Sequence, residues 1–507
     1  MVRDLEEGFS FGIPPIRVTT VNPNHAEAEE DLDILQEIVD REVDVGRVLA
    51  PLSLEEVEER LGCFQTSPLG LVPKPGGKFR MIQDFSFPRK AGPEAAASIN
   101  AYIDSDEFVC GWDGFTAMVD QIRDSPKGSY AAMSDAQEAF RAIKAHPSQL
   151  PGLFIALPKG GFGIDTRLPF GLASATRVWG SVADLVKMLI TSTMPALRVI
   201  KWVDDFVFIK PPDSTITLKD IHQATEVLGF PWHPVKQSDF DSKVTYLGFI
   251  WDLHAMTVKL PDSKREAFSL RASAFLSSSP RSLKEVRETC GALQHVASMA
   301  RDLAPFLAEF FAFMKAWESK EPYHRLHVPA QVQDEAKVWV RALRHEMVRS
   351  IAMPSKEFPH VLYVDASTTW GVGVTCDDRW AAWMLLSGWD ADGRGIGWAE
   401  AAALELGVRQ AVAMGASDCV LRIFSDNKGV IGAFRKGRSR GRSANSIMRS
   451  LIAFAMQHHL DVRVTYVATD VNPADAPSRG QALPGPHLSG FDTPAPLRPF
   501  LHATRRH

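Results

Sequence analysis

VIKWVDDFVFIK, residues 199–210, sets two adjacent carboxylates, Asp204 and Asp205, inside a run that is otherwise mostly apolar, β-branched or aromatic. Each flank reads as a strand. Two short strands with Asp-Asp between them predict a tight hairpin. The aspartates then have two accounts. They are turn residues, or they are ligands of a divalent cation, whose charge offsets the repulsion between neighbouring carboxylates.

A metal site needs partners, and the chain supplies them in order. GSYAAMSDAQEAFRAI (128–143) reads as a strand over 130–134 with Asp135 at its end, then a helix. A strand-end Asp on its own is an ordinary helix cap. RLPFGLASATRVW (167–179) follows as a Gly-bearing loop entering a helix, and the Asp-Asp hairpin comes next. Upstream, LVPKPGGKFRMIQDFS (71–86) carries Lys74, Lys78 and Arg80, with Arg89 and Lys90 just beyond, against one acid, Asp84. Such a cluster suits phosphate oxygens and equally suits a solvated hairpin tip.

From about 70 to 255 this series resembles the fingers and palm of reverse transcriptases. MSDAQEAF resembles the first palm motif, LPFGLASATRVW the motif written LPFGLxxAP, and WVDD the Tyr-x-Asp-Asp hairpin. LGFPWHPVK (228–236) and VTYLGFIWD (244–252) resemble the two motifs after it. The resemblance implies nucleotidyl transfer by two Mg²⁺ (or Mn²⁺) ions. Asp135 and Asp204 would bridge the ions, with Asp205 in support. Lys74 and Arg80 would hold the triphosphate, and Phe170 and Gly171 would floor the nucleotide pocket. Lys236 would approach the leaving pyrophosphate. Phe140 would crowd a 2′-OH and favour dNTPs, although an ordinary core aromatic fits the same position. Trp202 stands where the family has Tyr, and Thr176 where it has Pro.

A second set of acids lies further on. From about 358, VLYVDAS, GVGVTCD and RWAAWMLL predict three consecutive strands. WAEAAALELGVRQAVAM predicts a helix, CVLRIFSD a strand, NKGVIGAFR a helix and VRVTYVAT a strand, an α/β order. Asp365, Glu400, Asp426 and Asp475 fall at strand ends, on the first helix and in NPADAPSR. Each alone is an ordinary solvated or capping acid. Together they resemble a ribonuclease H domain over about 358–480. That resemblance implies hydrolysis of RNA in a hybrid, with all four as ligands of two further ions. Glu405 is the nearest competitor to Glu400, rotated well off its helical face. Between Asp426 and Asp461 the chain has no acid. Arg435, Lys436, Arg438, Arg440 and Arg442 are expected to form a phosphate-gripping loop; the same composition permits a nuclear-import signal. The loop YVATDVNPAD lacks the His that many ribonucleases H carry there.

The resulting layout is multidomain α/β and α+β. An acidic N-terminal extension (1–44) precedes fingers and palm (45–255), an all-helical thumb or connection (256–357), the ribonuclease H-like domain (358–480) and a Pro- and Gly-rich tail (481–507) expected to be poorly ordered. The 507 residues suffice for roughly three domains. The net charge of −5 hides acid-rich 27–60 and the acid-free basic interval. Five isolated cysteines, no signal-peptide pattern and no long apolar run predict an intracellular protein, cytoplasmic or nuclear. Neither an Asp-Thr/Ser-Gly triplet nor a His/Cys zinc box is found, and no recombinase domain is expected. NPADAPSRG and LPFGLAS are most similar to DIRS-like (tyrosine-recombinase) retrotransposons. The partners implied are an RNA template, a DNA primer, an RNA–DNA hybrid and dNTPs. The other class of reading is a non-catalytic nucleic-acid-binding remnant of such an element.

Overall fold

The computed structural model describes the chain except residues 26–30, 75–76, 90–95, 322, 355, 489 and 505–507, and the side chains at 60, 74 and 78. Lys90 and the side chains of Lys74 and Lys78, singled out above, therefore lie outside the described residues, as does the start of the acidic run. The chain divides into two compact units, Met1–Leu247 with Asp252–His254, and Gly248–Trp251 with Ala255–His507.

In the first unit, residues 1–44 are not a separate extension. FGI near the N-terminus alternates apolar side chains, and Phe9, Phe11 and Ile13 are buried in the same core as the central sheet. Gln149 Oε1 accepts from the backbone N–H of Phe11 and of Ile13, at 3.0 and 2.9 Å. Helix α1 (Leu32–Asp44) buries Leu35 and Val39 against Leu69 and Ile155. Strands β1 (Leu69–Lys74) and β2 (Lys78–Gln83) pair antiparallel, Val72 opposite Arg80.

The central sheet uses β3 (Tyr130–Ala136), β4 (Arg198–Trp202), β5 (Asp205–Lys210) and β6 (Trp232–Asp241) in the order β4-β5-β3-β6, all antiparallel. Helix α2 (Ala175–Thr193) follows the LPFGLAS loop in sequence and buries Val178, Val182, Val186 and Ile190 at helical spacing. FVFI of β5 is buried throughout, so successive side chains are covered on both faces of the sheet. That explains the unbroken apolar run after Asp205.

In the second unit the 256–357 region is not wholly helical. It contains α3 (Asp262–Ser273), α4 (Leu283–Met299) and α5 (Ala330–Leu343). However, the stretch expected to prolong α5 instead forms a strand, Val348–Ser350, paired with Thr257–Lys259. Pro280–Ser282 also pairs with Arg325–His327. Beyond lies a sheet of β7 (Leu362–Ala366), β8 (Gly371–Cys376), β9 (Arg379–Leu385), β10 (Cys419–Ser425), β11 (Asp461–Tyr466) and β12 (Leu501–Ala503). Its order is β11-β10-β7-β8-β9-β12, with the β11–β10 and β10–β7 pairs parallel and the others antiparallel. Helices α6 (Ile396–Ala413), α7 (Lys428–Lys436) and α8 (Arg442–Gln457) pack on it. The succession from β7 through β10 and α7 to β11 is the one read from sequence, but α8, over a stretch for which no helix was read, and β12, in the stretch read as a tail, were not expected.

The tail reading is overturned. Leu488, Leu497 and Leu501 are buried in the core of this sheet, and β12 pairs with β9. Pro and Gly set the turns, but the leucines decide the packing. Leu497→Ala should therefore cost about 2–4 kcal/mol, the scale of a buried leucine truncation. Thermal unfolding followed by circular dichroism checks this, and a loose tail would leave the transition unmoved.

Candidate active sites

The first site is the corner where β3 meets the β4–β5 hairpin. The register places Asp135 opposite Asp205, and Trp202 opposite Asp205 on the other side. The hairpin turn is Val203–Asp204, one residue earlier than expected, and Asp205 already belongs to β5. Val203 has φ +52°, a left-handed conformation that a β-branched residue adopts only when its surroundings impose it. Those surroundings include Trp179, whose Nε1 donates to the Val203 carbonyl at 2.8 Å, and the Ala136 N–H, which donates to the Asp204 carbonyl at 2.8 Å.

Burial pushes the Asp204 carboxyl up to about 6; Asp135 and Asp205 add to the rise, and Lys236 and Arg80 moderate it. Asp205 is raised for the same leading reason, with Asp135 adding. Lys236 Nζ lies 3.2 and 3.4 Å from the two Asp135 oxygens, so a cation stands on this carboxylate. Asp135, Asp204, Lys236, Arg80 and Phe170 line one cleft of ≈460 Å³. Phe140 and Phe170 meet with ring centroids 5.2 Å apart, and the Arg80 guanidinium sits 5.3 Å from the Phe170 centroid. Gly171 has φ +99°, and a Cβ there would stand 2.6 Å from the Gln83 carbonyl oxygen. The loop thus lies against β2 in a way no other residue permits. Trp202 is partly exposed, 6.5 Å from Trp112 between ring centroids.

Sequence reasoning missed one wall of this cleft. Buried Arg141 pairs with Asp165 at 2.6 Å and with Glu42 of α1 at 2.7 Å. Both acids are remote in sequence, and a lone Arg next to Phe140 gave no signal of them.

The second site is tighter. One ligand oxygen from each of Asp365, Glu400 and Asp426 lies within 4.8 Å of the other two. Asp365 is on β7 opposite Gly373, Glu400 is on α6, and Asp426 directly follows β10. Glu400 is 4% exposed, and its Oε2 has no hydrogen-bond partner among the described residues. Its burial, then Asp365, then Asp426, pushes its carboxyl up to about 8. Asp365 is raised too, first by burial, although the Ser478 hydroxyl donates to it and works the other way. Thr469 Oγ1 donates to Asp426 at 2.6 Å.

Two buried carboxylates and a half-buried third, with a free oxygen on Glu400, are the donor set of a hard divalent cation. Glu405 is not a rival, because Arg409 and Ser450 hold its Oε1 at 2.7 and 2.6 Å. Asp475 begins a short helical turn, Asp475–Ser478, and is held by Arg479 at 2.8 Å. It is near enough to raise Asp365 but is not one of the three gathered acids.

The basic segment is not a free loop. Arg435 and Lys436 end α7, where cations suit the helix dipole. Arg442 opens α8 and makes a two-pronged pair with Glu309, both contacts 2.8 Å. The Arg438 guanidinium lies 3.9 Å from the Phe311 ring centroid. Arg449 reaches buried Glu335 at 2.7 Å. The acids these arginines answer to lie more than a hundred residues upstream, so a scan for local acids could not find them. Lys428, Lys436 and Arg440, together with Arg438, line a groove of ≈750 Å³, with Asn427 and Trp398 and no acid among the described lining residues.

No family model matches the chain, and no curated protein matches it. Solved structures do. A foamy viral protease-reverse transcriptase in complex with RNA/DNA hybrid is 15% identical, covering 90% of this chain and 56% of that one, with TM-score 0.49. The foamy viral protease-reverse transcriptase dRH in complex with double-stranded DNA is 16% identical, covering 92% and 73%, with TM-score 0.47. The foamy viral protein in complex with dsDNA is 15% identical, covering 92% and 87%, also with TM-score 0.47. Among the described residues, no helix is long and apolar enough to cross a membrane.

Proposed function

We propose that the chain is an RNA-directed, and also DNA-directed, DNA polymerase with ribonuclease H activity, from a DIRS-like retroelement. The observation that carries this reading is the pair of carboxylate corners on two different sheets. One is Asp135 facing Asp205 beside the cleft of Asp204, Arg80 and Phe170. The other is the Asp365–Glu400–Asp426 cluster.

Two Mg²⁺ or Mn²⁺ ions at each corner would supply an activated oxygen nucleophile and charge neutralisation at phosphorus. At the first corner, Asp135 and Asp204 would hold them and Asp205 would support Asp204. Arg80 would take triphosphate oxygens through its planar fork, with Lys74 on the neighbouring strand. Phe170 and Gly171 would floor the pocket. Lys236, now on Asp135, would shift to the leaving pyrophosphate once Asp135 holds metal. At the second corner Asp365, Glu400 and Asp426 would be the ligands, and Asp475 would join on leaving Arg479. Lys428, Lys436 and Arg440 would then line a path for the phosphates of the hybrid, with Arg435 at its margin. Arg438 and Arg442 would act by fixing that surface against Phe311 and Glu309.

The test is extension of a DNA primer on an RNA template with dNTPs and Mg²⁺, run beside cleavage of labelled RNA in a hybrid. Product in both assays supports the reading, and none in either across metal and salt conditions sinks it. The alternative, a non-catalytic binding remnant, is favoured by one observation. Among the described residues, Asp135, Asp204 and Asp205 are not a group with ligand atoms within 4.8 Å of one another. Hybrid binding without either product would select it.

Phe140 packs against Phe170 with the two rings tilted, so its loss should open the sugar side of the pocket. Phe140→Ala should raise incorporation of rNTP relative to dNTP by about 10- to 100-fold, the range a single packed group contributes to discrimination. Single-nucleotide extension with each substrate measures it.

A further inference from the structure

One cluster of metal-binding side chains plays no part in either site. His360, Cys376 and Asp377 each present one ligand atom within 4.8 Å of the other two. They meet where β7 begins and β8 turns into β9. Leu362 pairs with Cys376, and Cys376 pairs with Arg379 across the next turn. Asp365 pairs three residues away, with Gly373, so the cluster lies about 10 Å along the strands from the carboxylate site.

The three groups differ in kind. Cys376 is wholly buried in the core of the sheet. His360 and Asp377 are partly exposed and joined by a hydrogen bond, Nδ1 to Oδ2 at 2.6 Å. Asp377 takes φ +53° in the turn. The only cation near its carboxylate in the described ion pairs besides His360 is Arg379, at 4.0 Å. Burial, with Asp377 adding, pushes the Cys376 thiol up to about 11, so it is protonated when nothing is bound.

We propose that His360, Cys376 and Asp377 form a binding site for a Zn²⁺-class divalent cation. A thiolate, an imidazole nitrogen and a carboxylate oxygen make a donor set that selects Zn²⁺ over Mg²⁺. Three protein ligands leave a fourth position on the solvent side, where His360 and Asp377 are open, for water. On binding, the Cys376 S–H bond breaks, its proton passes to solvent, and the sulfur lone pair forms the bond to the metal. The His360–Asp377 hydrogen bond opens at the same time, since both atoms turn to the ion. The bland account is a His–Asp turn contact beside a core cysteine, and it predicts no binding.

The test is titration of the reduced full chain with Co²⁺ in excess Mg²⁺, which occupies the hard carboxylate sites. One equivalent should produce a near-ultraviolet thiolate-to-cobalt charge-transfer band, and Zn²⁺ should displace it. Cys376→Ser should abolish the band, and Cys419→Ser should leave it unchanged. Because Cys376 is in the core, Asp377→Asn is the second variant. Asn tolerates the left-handed turn, so the fold should survive by circular dichroism while affinity for Co²⁺ falls tenfold or more. Absence of the band, its survival in Cys376→Ser, or unchanged affinity in folded Asp377→Asn would overturn the proposal.

Discussion

Asp204→Asn should lower primer extension by about a thousandfold or more while leaving hybrid cleavage within about twofold of the parent. The first figure is the scale on which losing one preorganised charge-stabilising group acts. The side chain stays the same size, and the Val203–Asp204 turn keeps its backbone bonds to Trp179 and Ala136, so the loss is of charge and not of fold. The stability readout moves the other way. Asp204 is held near 6 mainly by burial and also by two neighbouring carboxylates, so at pH 8 its ionisation opposes folding in metal-free protein. The amide should unfold at the same temperature as the parent or higher. Reduced extension together with reduced stability would show that Asp204 is only structural. Extension at the parental rate would remove it from the proposed metal site.

Glu400→Gln should abolish hybrid cleavage to a similar degree, about a thousandfold, and spare extension. Its pH signature is the sharper test. A carboxyl whose proton is held more tightly in the folded state makes folding less favourable as pH rises between its ordinary and raised values. For Glu400 that window runs from about 4.5 to about 8. Metal-free parent should therefore lose stability across it, and Glu400→Gln should flatten the loss. At pH 8 the variant should be more stable by upwards of about 2 kcal/mol, since each tenfold change in proton affinity is worth ~1.4 kcal/mol. Mg²⁺ should stabilise the parent more at pH 8 than at pH 5, because protons compete for the same oxygens. Calorimetry at the two pH values with and without Mg²⁺ checks both statements. A parental profile in Glu400→Gln would place the buried proton elsewhere.

What was legible in the sequence follows physical range. The succession of strands β7 to β11 along the chain was readable because each carries its own pattern, as in GVGVTC and CVLRIFS. Asp365, Glu400 and Asp426 were readable because acids interrupt those apolar patterns. The hairpin was seen but misplaced by a residue. Turn chemistry points to Asp-Asp, whereas cross-strand pairing with Asp135 draws Asp205 into the strand and forces Val203 into the turn. The basic segment misled because charge patterning reads neighbours along the chain, while Glu309 and Glu335 answer Arg442 and Arg449 through space. The two ends of the chain misled for a related reason. Their local composition is polar or Pro-rich, and only the cores that Phe11 and Leu497 enter reveal them as interior.

The C-terminal segment has a further effect through hydrogen bonds that run nearly the whole length of β9. The Trp380 N–H donates to Pro486, and the Trp380 carbonyl accepts from Leu488. The Ala382 carbonyl accepts from Thr504, and the Leu386 N–H donates to Phe500. β12 fills the remainder opposite Trp383–Leu385. A strand with such groups bare is a template on which another chain can add a strand, and aggregation begins there. In this protein that template is occupied from within, by a segment whose own glycines and prolines make it a poor seed for further pairing.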